Sequence, residues 1–181
     1  MRKLNRVLSG RTFWKNEDGS TAIEFSMLVM PFVLITVGII ELSLMFTSMA
    51  MLENATSVAS RQIRTGEIQR AAGSPAEQEQ AFRDALCAQA SILIPCEDII
   101  LEVRDVGAFG GVSGFAPTFD DDGNMESGGF ETGGVSDVMM IRTFFRYDFA
   151  TPLIGDLLGE GGTGTRSFMS TVVIQNEPYE F

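Results

Sequence analysis

The chain has 181 residues, with 13 Lys or Arg, 24 Asp or Glu and no histidine, for a net charge of −11. Without histidine, neither a Ser–His nor a Cys–His catalytic pair can be built, and two cysteines alone do not complete a zinc site. The acidity argues against nucleic acid or anionic lipid as a binding target for the bulk of the chain.

The positive charge is concentrated at the start. Arg2, Lys3, Arg6, Arg11 and Lys15 precede an apolar segment, and no lysine follows it. From Phe25 to Met51 the only formal charge is Glu41. Phe25–Phe46 would form roughly 33 Å of helix at about 1.5 Å per residue, enough to cross a hydrocarbon core of about 30 Å. Basic residues beside a transmembrane helix stay in the cytoplasm, so the N-terminus is expected inside and the remainder exported. The expected organisation is a cytoplasmic basic leader at 1–19, a transmembrane helix at 20–46 and an exported domain at 47–181. The exported part carries 8 Arg against 20 Asp or Glu.

The apolar run is too long for an ordinary cleaved secretory signal, and no small-residue cleavage site follows it. Instead Gly19 separates the leader from the helix, and Glu24 sits at the mouth of the apolar segment, just before Phe25. A carboxylate at the bilayer edge is costly unless partnered. One reading is that Glu24 marks the polar start of a helix, where an acid suits the dipole. Glu41, near the outer end of the span, has two readings as an intramembrane acid: a side chain reaching for the interface, or a contact with another membrane subunit.

Leu52, Ala55, Ala59 and Ile63 carry the helical spacing past the membrane. Arg61 and Arg64 suit the last turn, and Gly66 suits a stop. One helix from about Ala22 to Thr65, bent near Pro31, is expected. A second helix starts at Ser74-Pro75-Ala76-Glu77, a capping box with proline in the first turn, and Pro95 ends it. Cys87 and Cys96 both fall in the exported, oxidising part, where a disulfide closing a short loop is expected.

Three strands follow: Ile99–Val106, Asp137–Phe149 and Ser167–Gln175. In the first, Ile99, Leu101 and Val103 alternate with Glu102 and Arg104. Short strands without crossover helices imply an antiparallel sheet. The expected fold is α+β, a long N-terminal helix on a small antiparallel sheet with a second helix. Residues 107–134 hold nine glycines and four phenylalanines, Phe109, Phe115, Phe119 and Phe130. Such a loop suits partner contact or is pinned to the sheet by its aromatic rings. Within it Asp120, Asp122, Asn124 and Glu131 partly match a calcium loop, although Met125 stands where that loop turns on glycine. The default for these residues is a solvated acidic turn. Gly159–Thr165 has phosphate-loop glycines but lacks the lysine, and reads as a flexible turn.

Several of these features together resemble a known family. Gly19, then Ser20-Thr21-Ala22-Ile23, then Glu24-Phe25 is similar to the class III signal of type IV pilin-like precursors. Pro31, the Gly38-Ile39-Ile40-Glu41 run, the Cys87 and Cys96 pair and the motif Asn176-Glu177-Pro178-Tyr179 resemble the TadE-like minor pseudopilins of the tight-adherence (Flp) pilus. The resemblance implies a pilin-like fold, no cofactor and no enzymatic activity. It implies cleavage by a prepilin peptidase between Gly19 and Ser20, with Glu24 and Phe25 in processing and assembly. It also implies other pilins and pseudopilins, the inner-membrane assembly platform and membrane lipid as partners. After such a cut the Ser20 amine lies four residues before Glu24, on one helix face. Unlike charges about 4 Å apart attract by roughly 4 kcal/mol at an effective dielectric near 20. The partner amine would be the chain's own or a neighbour's; the resemblance implies the neighbour. The competing expectations are an uncleaved, membrane-anchored periplasmic binding module and, lacking a visible catalytic set, a tethered hydrolase.

Overall fold

The computed structural model describes residues 20–71 and 73–179; the leader, with Gly19, lies outside the described residues. The chain divides into two compact units, residues 1–40 and Glu41–Phe181. The architecture is mixed α+β, with a long N-terminal apolar helix, further helices and a three-stranded antiparallel sheet in a pilin-like layout.

The described part of the first unit is the opening of helix α1, which runs Ser20–Arg64. Its large apolar side chains, Phe25, Met27, Leu28, Met30 and Phe32 among them, are exposed. Exposed apolar surface on this scale marks a membrane or protein contact, and α1 is long and apolar enough to cross a membrane. The hydroxyls of this stretch are bonded inward. Ser26 Oγ donates to the Ile23 carbonyl at 2.8 Å and Thr36 Oγ1 to the Phe32 carbonyl at 2.8 Å. No water is needed to satisfy them, which is what an apolar surround demands. Pro31 is accommodated within the continuous helix.

In the second unit α1 continues from Glu41 with one buried stripe. Met45, Ser48, Leu52, Ala55, Ala59 and Ile63 recur every three or four residues and are almost fully buried. The helix ends at Arg64, and Gly66 adopts φ +72° in the turn. A short helix α2 (Glu67–Ala71) follows, which the sequence reading had not separated. Helix α3 (Pro75–Ala90) begins as expected: Ser74 Oγ accepts from the Glu77 N–H and the Glu77 carboxylate accepts from the Ser74 N–H. It stops at Ala90, before Pro95, and buries Phe82, Leu86 and Ala90.

The sheet is ordered β1-β2-β3, with β1 Ile100–Asp105, β2 Val138–Asp148 and β3 Thr165–Gln175, all antiparallel. Between β2 and β3 lies a further helix, α4 (Pro152–Leu158). Alternation along the central strand separates two faces. Met139, Ile141 and Phe145 join Leu101, Val103 and Phe168 in the core shared with the α1 stripe and α3. Small residues let α1 come close: Thr56 and Thr143, both fully buried, share a hydroxyl–hydroxyl hydrogen bond of 2.6 Å.

The opposite face is also covered. Val106, Val138 and Met140 pack there against Val112, Phe115 and Val173. Glu102 and Arg142 stand directly opposite across β1 and β2 and form a buried ion pair of 2.6 Å. Arg142 also donates to the Phe115 carbonyl at 2.8 Å. Arg104 lies 3.4 Å from Glu102, donates to the Gly128 carbonyl and stacks 5.7 Å over the Phe115 ring. A Cβ on Gly128 would collide with Glu102 and Arg104, so glycine is required where the loop crosses this pair. The glycine-rich segment is therefore held down. Phe130 packs on Phe82, Phe119 meets Phe144 edge-on, and residues 129–131 bond along the outer edge of β1 at Val103. Phe109 alone of the four rings is mostly exposed without such a contact.

Candidate functional site

The residues singled out from the sequence fall in five separate places. The first is the start of α1. Ser20 and Glu24 lie one turn apart on a single face, and Ser20 Oγ donates to a Glu24 carboxylate oxygen at 3.1 Å. Phe25, next to Glu24, is exposed. The carboxylate is thus reachable from the position where a cut after Gly19 would place a new ammonium group. Gly19 itself lies outside the described residues.

The second is Glu41, which is only 4% exposed. Its carboxylate accepts the Ala150 N–H at 2.7 Å and the Thr151 hydroxyl at 3.0 Å. Burial, followed by the nearby Glu41 charge, pushes the Tyr147 phenol above its ordinary range. Two donors, one on each carboxylate oxygen, offset part of the cost of burying it. The structure thus supplies partners from the same chain, a reading that periodicity along α1 could not have found. Tyr147, Ala150 and Thr151 were invisible as a site because the bend after β2 brings them to Glu41 from more than a hundred positions away.

The third is the disulfide between Cys87 in α3 and Cys96, whose Cα atoms are 5.8 Å apart. It joins the end of α3 to the turn that leads into β1. Arg83, on the same helix, donates to the Ile99 carbonyl at 3.1 Å and reinforces this junction.

The fourth is the C-terminal motif. Asn176, almost fully buried, donates from Nδ2 to the Thr132 and Gly134 carbonyls at 3.0 and 2.8 Å, and its N–H bonds to the Asp137 carbonyl. The Glu177 N–H caps the Arg64 carbonyl at the end of α1 at 2.9 Å, and its side chain pairs with Arg64 at 3.4 Å. The Tyr179 ring covers Gly66 so closely that a Cβ there would lie 2.7 Å from it. Burial and the Asp137 charge push the Tyr179 phenol upward. This motif is a clasp between β3, the glycine-rich segment and the end of α1. Pro178 sits within it, exposed.

The fifth is the acidic turn. Asp120 accepts the N–H groups of Asp122 and Asn124 at 3.0 and 2.8 Å. Those bonds, the Asn124 N–H foremost, hold its carboxyl below the usual range. Arg146 donates to Asn124 Oδ1 and to the Asp122 carbonyl, so a guanidinium sits against the turn. Glu131 is engaged through its backbone at β1. Among the described residues no three His, Cys, Asp or Glu side chains converge on a metal position.

No curated protein and no solved structure matches the chain. Residues 19–61, from the glycine through the exposed apolar turns of α1 to the packed ones, match the family model of the TadE-like proteins.

Proposed function

We propose that the chain is a minor, pilin-like subunit used in assembly of a tight-adherence pilus, and that it acts as a structural component without catalysis. In this reading a prepilin peptidase cuts between Gly19 and Ser20 on the cytoplasmic side of the inner membrane. Residues 20–46 stay as a single membrane span, and residues 47–181 face the periplasm. Other pilins and pseudopilins and the assembly platform are its partners. The observation that carries the proposal is the coincidence of the family match, which begins at Gly19, with the pairing of Ser20 and Glu24 on one face of an exposed apolar helix. Glu24 would hold the new amine, its own or a neighbour's, in a setting of low dielectric where such a contact is strong.

Mass spectrometry of the protein from its native host tests the cut. The expected mature chain begins at Ser20, and replacing Gly19 leaves the leader attached. A mature population that still carries Met1 would overturn the reading in favour of an uncleaved anchored module. Glu24→Ala is expected to leave processing intact while reducing pilus assembly; normal pili in that strain would remove Glu24 from the assembly contact.

A further inference from the structure

We propose that α4 and the groove beside it form a second membrane contact, in which the exported unit rests on phospholipid. The inference relies on α1 spanning the membrane, and is independent of cleavage. Glu41 fixes the level. The span expected at 20–46 is roughly 40 Å of helix at about 1.5 Å per residue, the depth of a bilayer with its headgroups, so Phe46 stands at the outer headgroup surface and Glu41, five residues earlier, lies roughly 7.5 Å below it. That is about the thickness of one headgroup layer. Ala150 and Thr151 bond directly to the Glu41 carboxylate, and α4 begins at the next residue, Pro152. The helix is therefore tied at the height where acyl chains meet headgroups.

Its side chains are distributed for that position. Ile154 and Gly155 face the protein and are buried, whereas Leu153 and Leu157, one turn apart, are 51% and 71% exposed. A pair of leucines turned outward has no internal function in a water-facing helix, but suits the interfacial layer. Beside α4 an apolar groove of about 360 Å³ runs between α1 and the start of β3, floored by Leu42, Met45, Met49, Leu158 and Phe168. Phe46, also lining it, and nearby Leu44 are themselves exposed on α1, so the apolar surface is continuous from the helix into the groove. Arg166 stands at the groove's polar rim with Glu160. The Arg166 side chain is exposed and bonds only one carbonyl, that of Leu158, among the described contacts. This pairing of an apolar trough and a guanidinium suits an acyl chain and its phosphate.

The test uses the full chain in nanodiscs of phosphatidylcholine with brominated acyl chains, which quench tryptophan on contact. Trp14, the single native tryptophan, is replaced by Phe, and one reporter is introduced at a time: Leu157→Trp, Leu153→Trp, Phe32→Trp within the span, and Phe109→Trp on the exposed loop. The expected result is quenching at Leu157→Trp and Leu153→Trp near that of Phe32→Trp and several-fold that of Phe109→Trp. If both α4 reporters match Phe109→Trp while Phe32→Trp is quenched, the contact is refuted and the span stands. A blue-shifted but unquenched α4 reporter would also refute it, assigning the leucines to a protein neighbour. An unquenched Phe32→Trp would take down the span and this contact together.

Discussion

The two halves of α1 are made from the same apolar alphabet, yet they solve opposite problems. Up to Ile40 the large side chains, Phe25, Leu28, Phe32 and Ile39, are on the outside. After the buried Glu41, the stripe contains five small residues, Ser48, Ala55, Thr56, Ala59 and Ser60, with Met45, Leu52 and Ile63 as its larger apolar members. Hydropathy alone sees one long segment. Side-chain size marks where the helix stops needing an apolar solvent and starts needing a close-packed neighbour.

Four substitutions would break or sharpen this contrast, each read by urea or thermal unfolding of the exported unit in detergent, followed by near-ultraviolet circular dichroism. The largest effect is expected at Leu52→Ala, which opens a cavity in the shared core and should cost about 2–5 kcal/mol; Phe32→Ala, a similar deletion on the exposed half, should cost the exported unit nothing. Next is Ala59→Leu, where overpacking between α1 and the sheet should cost about 1–3 kcal/mol. Glu41→Ala follows: it leaves the Ala150 N–H and Thr151 hydroxyl without their acceptor, at about 1–3 kcal/mol. If Ala59→Leu were neutral, the small-residue account of the packed half would be wrong.

A smaller loss than in the core is expected at Ser74→Ala, remote from α1, where loss of the cap should cost about 1 kcal/mol. The same cap carries a pH dependence. The Ser74 hydroxyl, then the N–H groups of Ser74 and Gly73, depress the Glu77 pKa in the folded chain. Its contribution is therefore present above the ordinary carboxylate pKa and fades as the pH falls through the depressed value. An acid titration of Glu77→Gln should lack that component.

Local chemistry was readable in advance and long-range pairing was not. The Ser74 capping box, the Gly66 stop, the Cys87–Cys96 link and the apolar alternation of β1 each depend on neighbours within a few residues, so the sequence displays them directly. The antiparallel sheet followed from the same logic. Glu102 was expected opposite the apolar face of β1, but its partner Arg142 is set by the register of β1 on β2, and no local pattern reports register. Glycine-rich composition likewise left the 107–134 segment undecided between a contact loop and a pinned one; three of its four rings pack on the fold only because the sheet has a second face to cover. The seven-residue helix α4 escaped notice because Gly155 interrupts a run too short for periodicity to speak.

The clasp of Asn176, Glu177 and Tyr179 has one more implication. The carbonyl of Arg64, the last residue of α1, is capped by backbone that follows β3, the Glu177 N–H. The turn at Gly66 stops the helix locally, and its final carbonyl is satisfied from the far end of the unit. A protease nick just beyond Gln175 would thus be felt first at Arg64, fraying the spine from the end opposite its anchor.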